Sequence, residues 1–156
     1  MTTTPHAIRQ ATVADAPELA RLLEDFNTEF DEDTPEREAL AERIAELIEA
    51  GELLGLLAGD GPDGFAHLRF RPGVTTPGLE AYLEELYVAP RLRGQGMGRA
   101  LLDAAMAAAR ERGATRMDLG TSVDDTAAIG LYEASGFTNR EGGPDGPLMI
   151  YYERDL

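Results

Sequence analysis

The chain has 156 residues, with 29 acidic and 14 basic side chains and a formal net charge of −15 at pH 7. Domains commonly contain about 100–200 residues, so the length predicts a single domain over residues 1–156. The strong negative charge disfavours nucleic acid and membrane surfaces as partners, because both are anionic.

Two further features of the composition exclude whole classes of chemistry. Every basic residue is Arg and Cys is absent, which excludes a lysine Schiff base, a thiolate nucleophile and a Cys-ligated metal. His6 and His67 are the only histidines, so no metal site is expected. Residues 1–7 show no leader pattern and no apolar segment approaches the roughly 20 residues that span a bilayer, so the sequence predicts a soluble, cytoplasmic protein.

The first half of the chain predicts a strand, two helices and a hairpin. A short strand is expected at Ile8–Thr12. Apolar residues then recur at helical spacing and predict the first helix: Leu19, Leu22, Leu23, Phe26 and Phe30. Thr34-Pro35 is typical of a helix start and Gly51 of a helix end, so a second helix is expected between them. Strands at Glu52–Ala58 and Phe65–Phe70 flank a turn-rich segment and predict a hairpin.

The second half alternates strands and helices. The expected elements are a long strand at Leu79–Val88, a helix from the Gly94–Gly98 turn to Gly113, a strand at Thr115–Leu119, a helix capped by Asp124 or Asp125, and a last strand at Leu148–Glu153. Two strands joined through a helix should be parallel. The order of elements predicts an α/β (α+β) sandwich with a mixed sheet.

A glycine-rich turn, Arg93-Gly94-Gln95-Gly96-Met97-Gly98-Arg99, separates the long strand from the helix after it. Glycine lets the backbone approach a ligand closely, and the N–H groups at a helix start suit a pyrophosphate. A dinucleotide fingerprint would require Gly where Arg99 or Leu101 stands, so that kind of site is excluded. A tight turn without any ligand is the structural alternative.

Two motifs resemble the GNAT superfamily of N-acetyltransferases. Arg93-x-x-Gly96-x-Gly98 is similar to its acyl-coenzyme A signature, Glu84–Pro90 to its fourth strand, and Ala128–Phe137 to its A-x-x-x-Y-E-x-x-G-F segment. The resemblance covers nearly the whole chain. It implies a mixed, mostly antiparallel sheet of six to seven strands flanked by about four helices, with a parallel strand-helix-strand crossover at the acyl-coenzyme A site.

The resemblance implies acetyl-coenzyme A as the cosubstrate. Backbone N–H groups from Gln95 to Arg99 would hold its pyrophosphate, and main-chain groups around Tyr87 and Val88 would contact the pantetheine arm and polarise the thioester. Asp125 stands where the family commonly has Asn, and an ionised Asp accepts but does not donate a hydrogen bond. The implied cofactor-binding residues are Leu86, Tyr87, Val88, Arg93, Gly94, Gln95, Gly96, Met97, Gly98, Arg99 and Asp125.

Acetyl transfer to an amine requires a base for the amine and an acid for the departing thiolate. The resemblance implies Tyr132 as the acid, because a phenol with a reference pKa of about 10 is protonated at neutral pH. We choose Glu84 as the base, with Glu80, Glu85 and water as alternatives. By strand alternation Glu84 shares a face with Glu80, and Glu85 points to the other face unless a β-bulge intervenes.

The acceptor side is acidic. From Glu24 to Glu52 the chain has 12 acidic residues and only two Arg, a rim that would attract polyamines, aminoglycosides or basic peptide ends. A solvated acidic face is the alternative. In relatives the first two helices and their loop bind the acceptor, so the resemblance implies Asn27, Glu29 and Phe30 as its contacts.

The predicted function is transfer of acetyl from acetyl-coenzyme A to a primary amine of a small molecule or peptide, by direct attack in a ternary complex. Without Cys, no cysteinyl acyl-enzyme can form. The alternative is a non-catalytic sensor that binds acyl-coenzyme A. His67 is expected to pack or hydrogen-bond within its strand, and the resemblance makes a homodimer plausible.

Overall fold

The computed structural model describes residues 7–156, which form two compact units. The first ends at Leu119 and the second contains Gly120–Leu156. The first unit has strands β1 (Ile8–Gln10), β2 (Leu53–Ala58), β3 (Gly64–Pro72), β4 (Leu79–Val88) and β5 (Ala114–Leu119), and helices α1 (Ala16–Glu29), α2 (Arg37–Glu49) and α3 (Met97–Glu111). The second has helix α4 (Thr126–Ala134). A single domain over residues 1–156 stays a prediction.

The sheet of the first unit has the order β1-β2-β3-β4-β5. Strands β1 to β4 are antiparallel neighbours, whereas β5 is parallel to β4 and is reached through α3. The mixed sheet and the parallel crossover are therefore confirmed.

The expected count of six to seven strands is wrong for the described residues, which contain five. The segment predicted as a last strand, Leu148–Glu153, forms only an isolated bridge between Leu148 and Arg140 and one further backbone bond, from Met149 N–H to the Asn139 carbonyl. Two contacts are too few for a ladder, because a strand needs a neighbour along its length.

Helices cover both faces of the sheet. Phe65 of β3 belongs to an apolar cluster with Leu19 of α1 and Ile44 of α2. The adjacent Gly64 faces Met97 and Leu101 of α3, so the two faces are covered by different helices. All six residues of β2 are buried, and burial on both faces explains why that strand is a continuous apolar run rather than an alternating one.

Gly64 of β3 lies close to both β4 and α3. A Cβ built at Gly64 would lie 2.9 Å from the Tyr87 carbonyl oxygen and 3.2 Å from both Leu101 Cδ1 and Met97 Sδ. The contact below 3.0 Å is with the backbone of β4, so an added Cβ forces the strands to shift, and the two side chains of α3 must yield by a few tenths of an ångström. The absence of a side chain at Gly64 thus permits the observed approach of both β4 and α3.

We expect Gly64→Ala to lower the free energy of unfolding by about 1–3 kcal/mol, because the added methyl overpacks this contact. Gly61→Ala is the matched control, since a Cβ there meets nothing within 4 Å, and it should change stability by no more than about 0.5 kcal/mol. Urea unfolding of both variants measures the difference. Equal stability of the two variants would show that α3 is free to shift.

Candidate active site

A β-bulge interrupts the pairing of β3 and β4. His67 pairs with Glu85 and Leu68 pairs with Leu83, so Glu84 is an extra residue on β4. The contacts of the two carboxylates show its effect: Glu84 lies 3.6 Å from Arg69 and Glu85 lies 3.0 Å from His67. Arg69 and His67 are two positions apart on β3 and share a face, so the bulge brings both carboxylates to that face.

Glu84 is the more solvent-accessible of these two carboxylates, with its side chain 40% exposed against 17% for Glu85. Partial burial and the charge of Glu85 raise the pKa of Glu84 above its usual range, although Arg69 opposes the shift. A carboxylate that holds a proton more tightly is a stronger base. Glu84 is thus both accessible and suited to accept a proton.

Glu80 and Glu85 have other partners. Arg71 Nε donates to Glu80 Oε2 at 2.8 Å, and this bond lowers the pKa of Glu80. Glu85 Oε2 lies 3.0 Å from His67 Nδ1, within hydrogen-bonding distance. His67 was expected to pack or hydrogen-bond within its strand, and its hydrogen-bond partner Glu85 lies on the neighbouring strand β4. Its Nε2 is buried and has no partner among the described residues.

Strand β4 has an open edge at its C-terminal half. Its pairing with β5 ends at Leu83 and Leu119, so no strand lies beside Glu84–Val88 on that side within residues 7–156. On the other side Ala89 N–H donates to the Asp63 carbonyl at 2.8 Å. Backbone groups alternate along a strand, which places those of Leu86 and Val88 on the open edge.

The glycine-rich turn leads from this edge into α3. Gly94 and Gly96 have φ of 78° and 87°, in the left-handed region that favours glycine, and Gly96 is the N-cap of the helix. The first helical residues Met97, Gly98 and Arg99 follow, and their N–H groups lack acceptors within the helix. The turn thus presents backbone donors at the positive end of the α3 dipole, beside the open edge of β4.

Arg93 joins residues that the sequence assigned to different parts of the site. Its Nε donates to the Val88 carbonyl at 2.9 Å, and its two Nη atoms donate to the two carboxylate oxygens of Glu29 at 2.6 Å each. Its Cζ lies 5.7 Å from the centroid of the Tyr87 ring. These bonds lower the pKa of Glu29, so the pair is fully charged at neutral pH.

The residues implied as acceptor contacts, Asn27, Glu29 and Phe30, lie together in the last turn of α1 and just after it. The Asn27 carbonyl accepts from the N–H groups of Phe30 and Glu32. The ring of Phe30 is 45% exposed and lies 5.0 Å from that of Phe26. Phe30 is thus open to a ligand, whereas the carboxylate of Glu29 is engaged by Arg93.

A pocket of about 410 Å³ adjoins Tyr87 in the first unit. Its two carboxylates are paired with arginines of the lining: Asp63 with Arg91, and Asp25 with Arg21 at 3.6 Å. None of Asn27, Glu29 and Phe30 lines it. The lining residues are Arg21, Leu22, Asp25, Pro62, Asp63, Tyr87, Ala89, Pro90 and Arg91.

The second unit contains the implied acid. The Tyr132 ring lies on α4, 6.0 Å from that of Phe137, and burial followed by the charge of Asp125 raises its pKa to about 12. The phenol therefore keeps its proton at neutral pH. Asp125 is the N-cap of α4, where its carboxylate accepts from Ala128 N–H at 3.1 Å. This capping bond gives Asp125 a structural role independent of any ligand.

Residues 7–156 contain neither a metal-binding cluster nor a membrane-spanning helix. No group of three His, Asp or Glu side chains there has an arrangement that could hold a metal ion. Over the same range, every helix is too short or too polar to cross a bilayer.

Known proteins provide three comparisons. The Acetyltransferase (GNAT) family model matches residues 16–137. The aminoglycoside N(6')-acetyltransferase type 1 of Stenotrophomonas maltophilia is 34% identical over 154 residues, covering 96% of this chain and 93% of that protein. The crystal structure of a protein from Arthrobacter sp. FB24 is 44% identical with a TM-score of 0.90, and the match covers 100% of this chain and 99% of that one.

A more distant solved structure contains coenzyme A. The aminoglycoside N-acetyltransferase AAC(6')-Iy in complex with CoA has a TM-score of 0.76 at 21% identity, over 97% of this chain and 95% of that one. At this identity the likeness shows a common fold.

Proposed function

The chain belongs to the GNAT family of acetyltransferases, and we propose that it transfers an acetyl group from acetyl-coenzyme A to a primary amine in a ternary complex. The observation that supports this most directly is the open edge of β4 beside the N-terminus of α3. Members of this family use acetyl-coenzyme A, whose pantetheine arm carries amide groups and whose diphosphate is an anion. An open strand edge can hydrogen-bond the amide groups, and a helix N-terminus can bind the diphosphate.

The residues of this chain divide the chemistry between them. The amine nitrogen attacks the thioester carbonyl carbon, the C–N bond forms and the C–S bond breaks. Glu84 takes the proton from the attacking nitrogen, and Tyr132 gives a proton to the thiolate of coenzyme A. Main-chain N–H groups on the open edge at Leu86 and Val88 polarise the thioester carbonyl.

The acceptor in this proposal is a cationic amine such as an aminoglycoside. The acidic stretch from Glu24 to Glu52 would concentrate cations near the last turn of α1, where Phe30 is exposed. The similar protein from S. maltophilia is named an aminoglycoside N(6')-acetyltransferase, which supports the same class. Asn27 and Phe30 are the proposed contacts, with a basic peptide end or a polyamine as other members of the class.

Calorimetry followed by turnover tests the whole proposal. Acetyl-coenzyme A and coenzyme A should bind saturably and NADH should not, and release of coenzyme A thiol should continue over many turnovers with an aminoglycoside, a polyamine or a basic peptide. Binding without turnover across the panel would indicate a sensor instead. Absence of binding at millimolar concentration would mean that the glycine-rich turn holds no ligand. Light scattering on the same sample tests the predicted homodimer.

Replacing Glu84 should remove the base. We expect Glu84→Gln to lower kcat/KM about 100-fold, within the range for general bases. The control Glu80→Gln removes an equal charge from the same strand, and it should leave kcat/KM within about threefold because Glu80 is engaged by Arg71. Comparable losses in the two variants would assign the effect to charge rather than to proton transfer.

The pH profile gives a second readout of Glu84. Activity requires its carboxylate, so kcat/KM should fall as the pH drops through the raised pKa of Glu84. Arg69 lowers that pKa, so Arg69→Met should raise it further and move the acid limb to higher pH with the same amine. An unmoved limb would point to water as the base.

Replacing Tyr132 should remove the acid. Tyr132→Phe retains the ring on α4 but lacks the phenol, so kcat should fall about 100-fold while the Kd of acetyl-coenzyme A changes by less than about twofold. Stopped assays and calorimetry on one preparation measure the two effects. Full turnover by this variant would remove Tyr132 from the acid role.

A further inference from the structure

The ion pair of Glu29 and Arg93 connects α1 with the open edge of β4. Glu29 is the last residue of α1, and 64 positions separate it from Arg93 in the turn before α3. Both side chains are partly accessible, with 33% of Glu29 and 45% of Arg93 exposed. The pair is bidentate, which fixes the plane of the guanidinium as well as its distance.

Because Glu29 fixes the guanidinium of Arg93, the guanidinium in turn fixes its second hydrogen-bond partner. Arg93 Nε donates to the carbonyl of Val88, and the backbone groups of Val88 face the open edge. Arg93 lies close to the Tyr87 ring, which packs edge-on against Phe26 of α1 at 6.0 Å. Contacts from the last turns of α1 therefore reach the segment of β4 on which the donor is proposed to lie.

We propose that Glu29 is a positioning residue for the acyl donor rather than a contact of the acceptor. Through Arg93 it fixes the Val88 carbonyl, and so it shapes the strand edge that receives the pantetheine arm. This inference rests on the proposed function. It assigns to an acidic residue of α1 a contribution to binding a ligand that Glu29 does not touch.

The direction in which the affinity for acetyl-coenzyme A changes distinguishes a positioning role of Glu29 from a purely electrostatic one. Acetyl-coenzyme A is an anion, so removal of a nearby negative charge should strengthen its binding if charge alone matters. Loss of a positioning contact should weaken it instead. An acceptor contact would leave donor affinity unchanged and would raise the KM of the amine.

The chain contains a close control in Glu24. Glu24 also lies on α1 and also forms a bidentate pair, with Arg37 of α2, at 2.9 Å for both bonds. Within the described part of the chain, the hydrogen bonds of this second pair join α1 to α2 and do not involve β4. Glu24→Gln therefore removes the same charge and the same kind of ion pair from the same helix without affecting the strand edge.

The experiment compares Glu29→Gln, Glu24→Gln and the unchanged chain by calorimetric titration with acetyl-coenzyme A and by steady-state kinetics. We expect Glu29→Gln to raise the Kd and KM of acetyl-coenzyme A about fivefold to tenfold and to leave the KM of the amine within twofold. Glu24→Gln should leave the Kd and KM of acetyl-coenzyme A within twofold. Thermal unfolding of each variant confirms that it is folded at the titration temperature.

Three results would overturn the inference: donor binding that is unchanged or tighter in Glu29→Gln, an equal loss in Glu24→Gln, or an effect confined to the KM of the amine. In each of these the unchanged chain still binds and turns over, so the proposed function stands. If the unchanged chain itself fails to bind acetyl-coenzyme A, both the proposed function and this inference fall.

Discussion

The end of the pairing between β4 and β5 is the constraint on which the rest of the site depends. As far as Leu83 the two strands satisfy each other's backbone groups, and beyond it β4 continues to Val88 with one side open. The Val88 carbonyl on this edge accepts from Arg93, and the remaining backbone groups need either water or a ligand as partners. The bulge at Glu84 comes directly after Leu83, the last residue of β4 that pairs with β5. At this point β4 therefore loses its neighbour β5 and also changes the direction of its side chains.

Arginine pairs stabilise the surroundings of this edge. Arg69 approaches Glu84, Arg71 bonds Glu80, and Arg93 bonds both Glu29 and the Val88 carbonyl. Each guanidinium engages a different carboxylate. Among the carboxylates of Glu29, Glu80 and Glu84, Glu84 alone has a raised pKa, because burial and the charge of Glu85 outweigh the attraction of Arg69 at 3.6 Å. The geometry of the arginine partner thus contributes to the different pKa values of these glutamates.

The sequence predicted most of the elements and part of the site. The bounds of β4 and the end of α2 just before Gly51 followed from local patterns, since apolar alternation and a glycine after a helix report on the backbone around them. The partner of Arg93 could not be predicted, because it lies 64 positions away and no local pattern records such a contact. A β-bulge entered the sequence-based prediction only as the exception under which Glu85 would share a face with Glu84. Leu148–Glu153 was wrongly predicted as a strand because apolar composition shows that a segment suits a sheet, not that a neighbour is present.

The exclusive use of arginine has a consequence for an enzyme of this family. A guanidinium stays protonated throughout the pH range in which alkyl ammonium groups lose their protons, so the ion pairs around β4 persist while the proposed amine acceptor becomes nucleophilic. Lysine in the same positions would titrate together with the acceptor. Lysine would also be an amine beside an acetyl donor. A chain without a single lysine offers no side-chain amine for its own catalyst to modify.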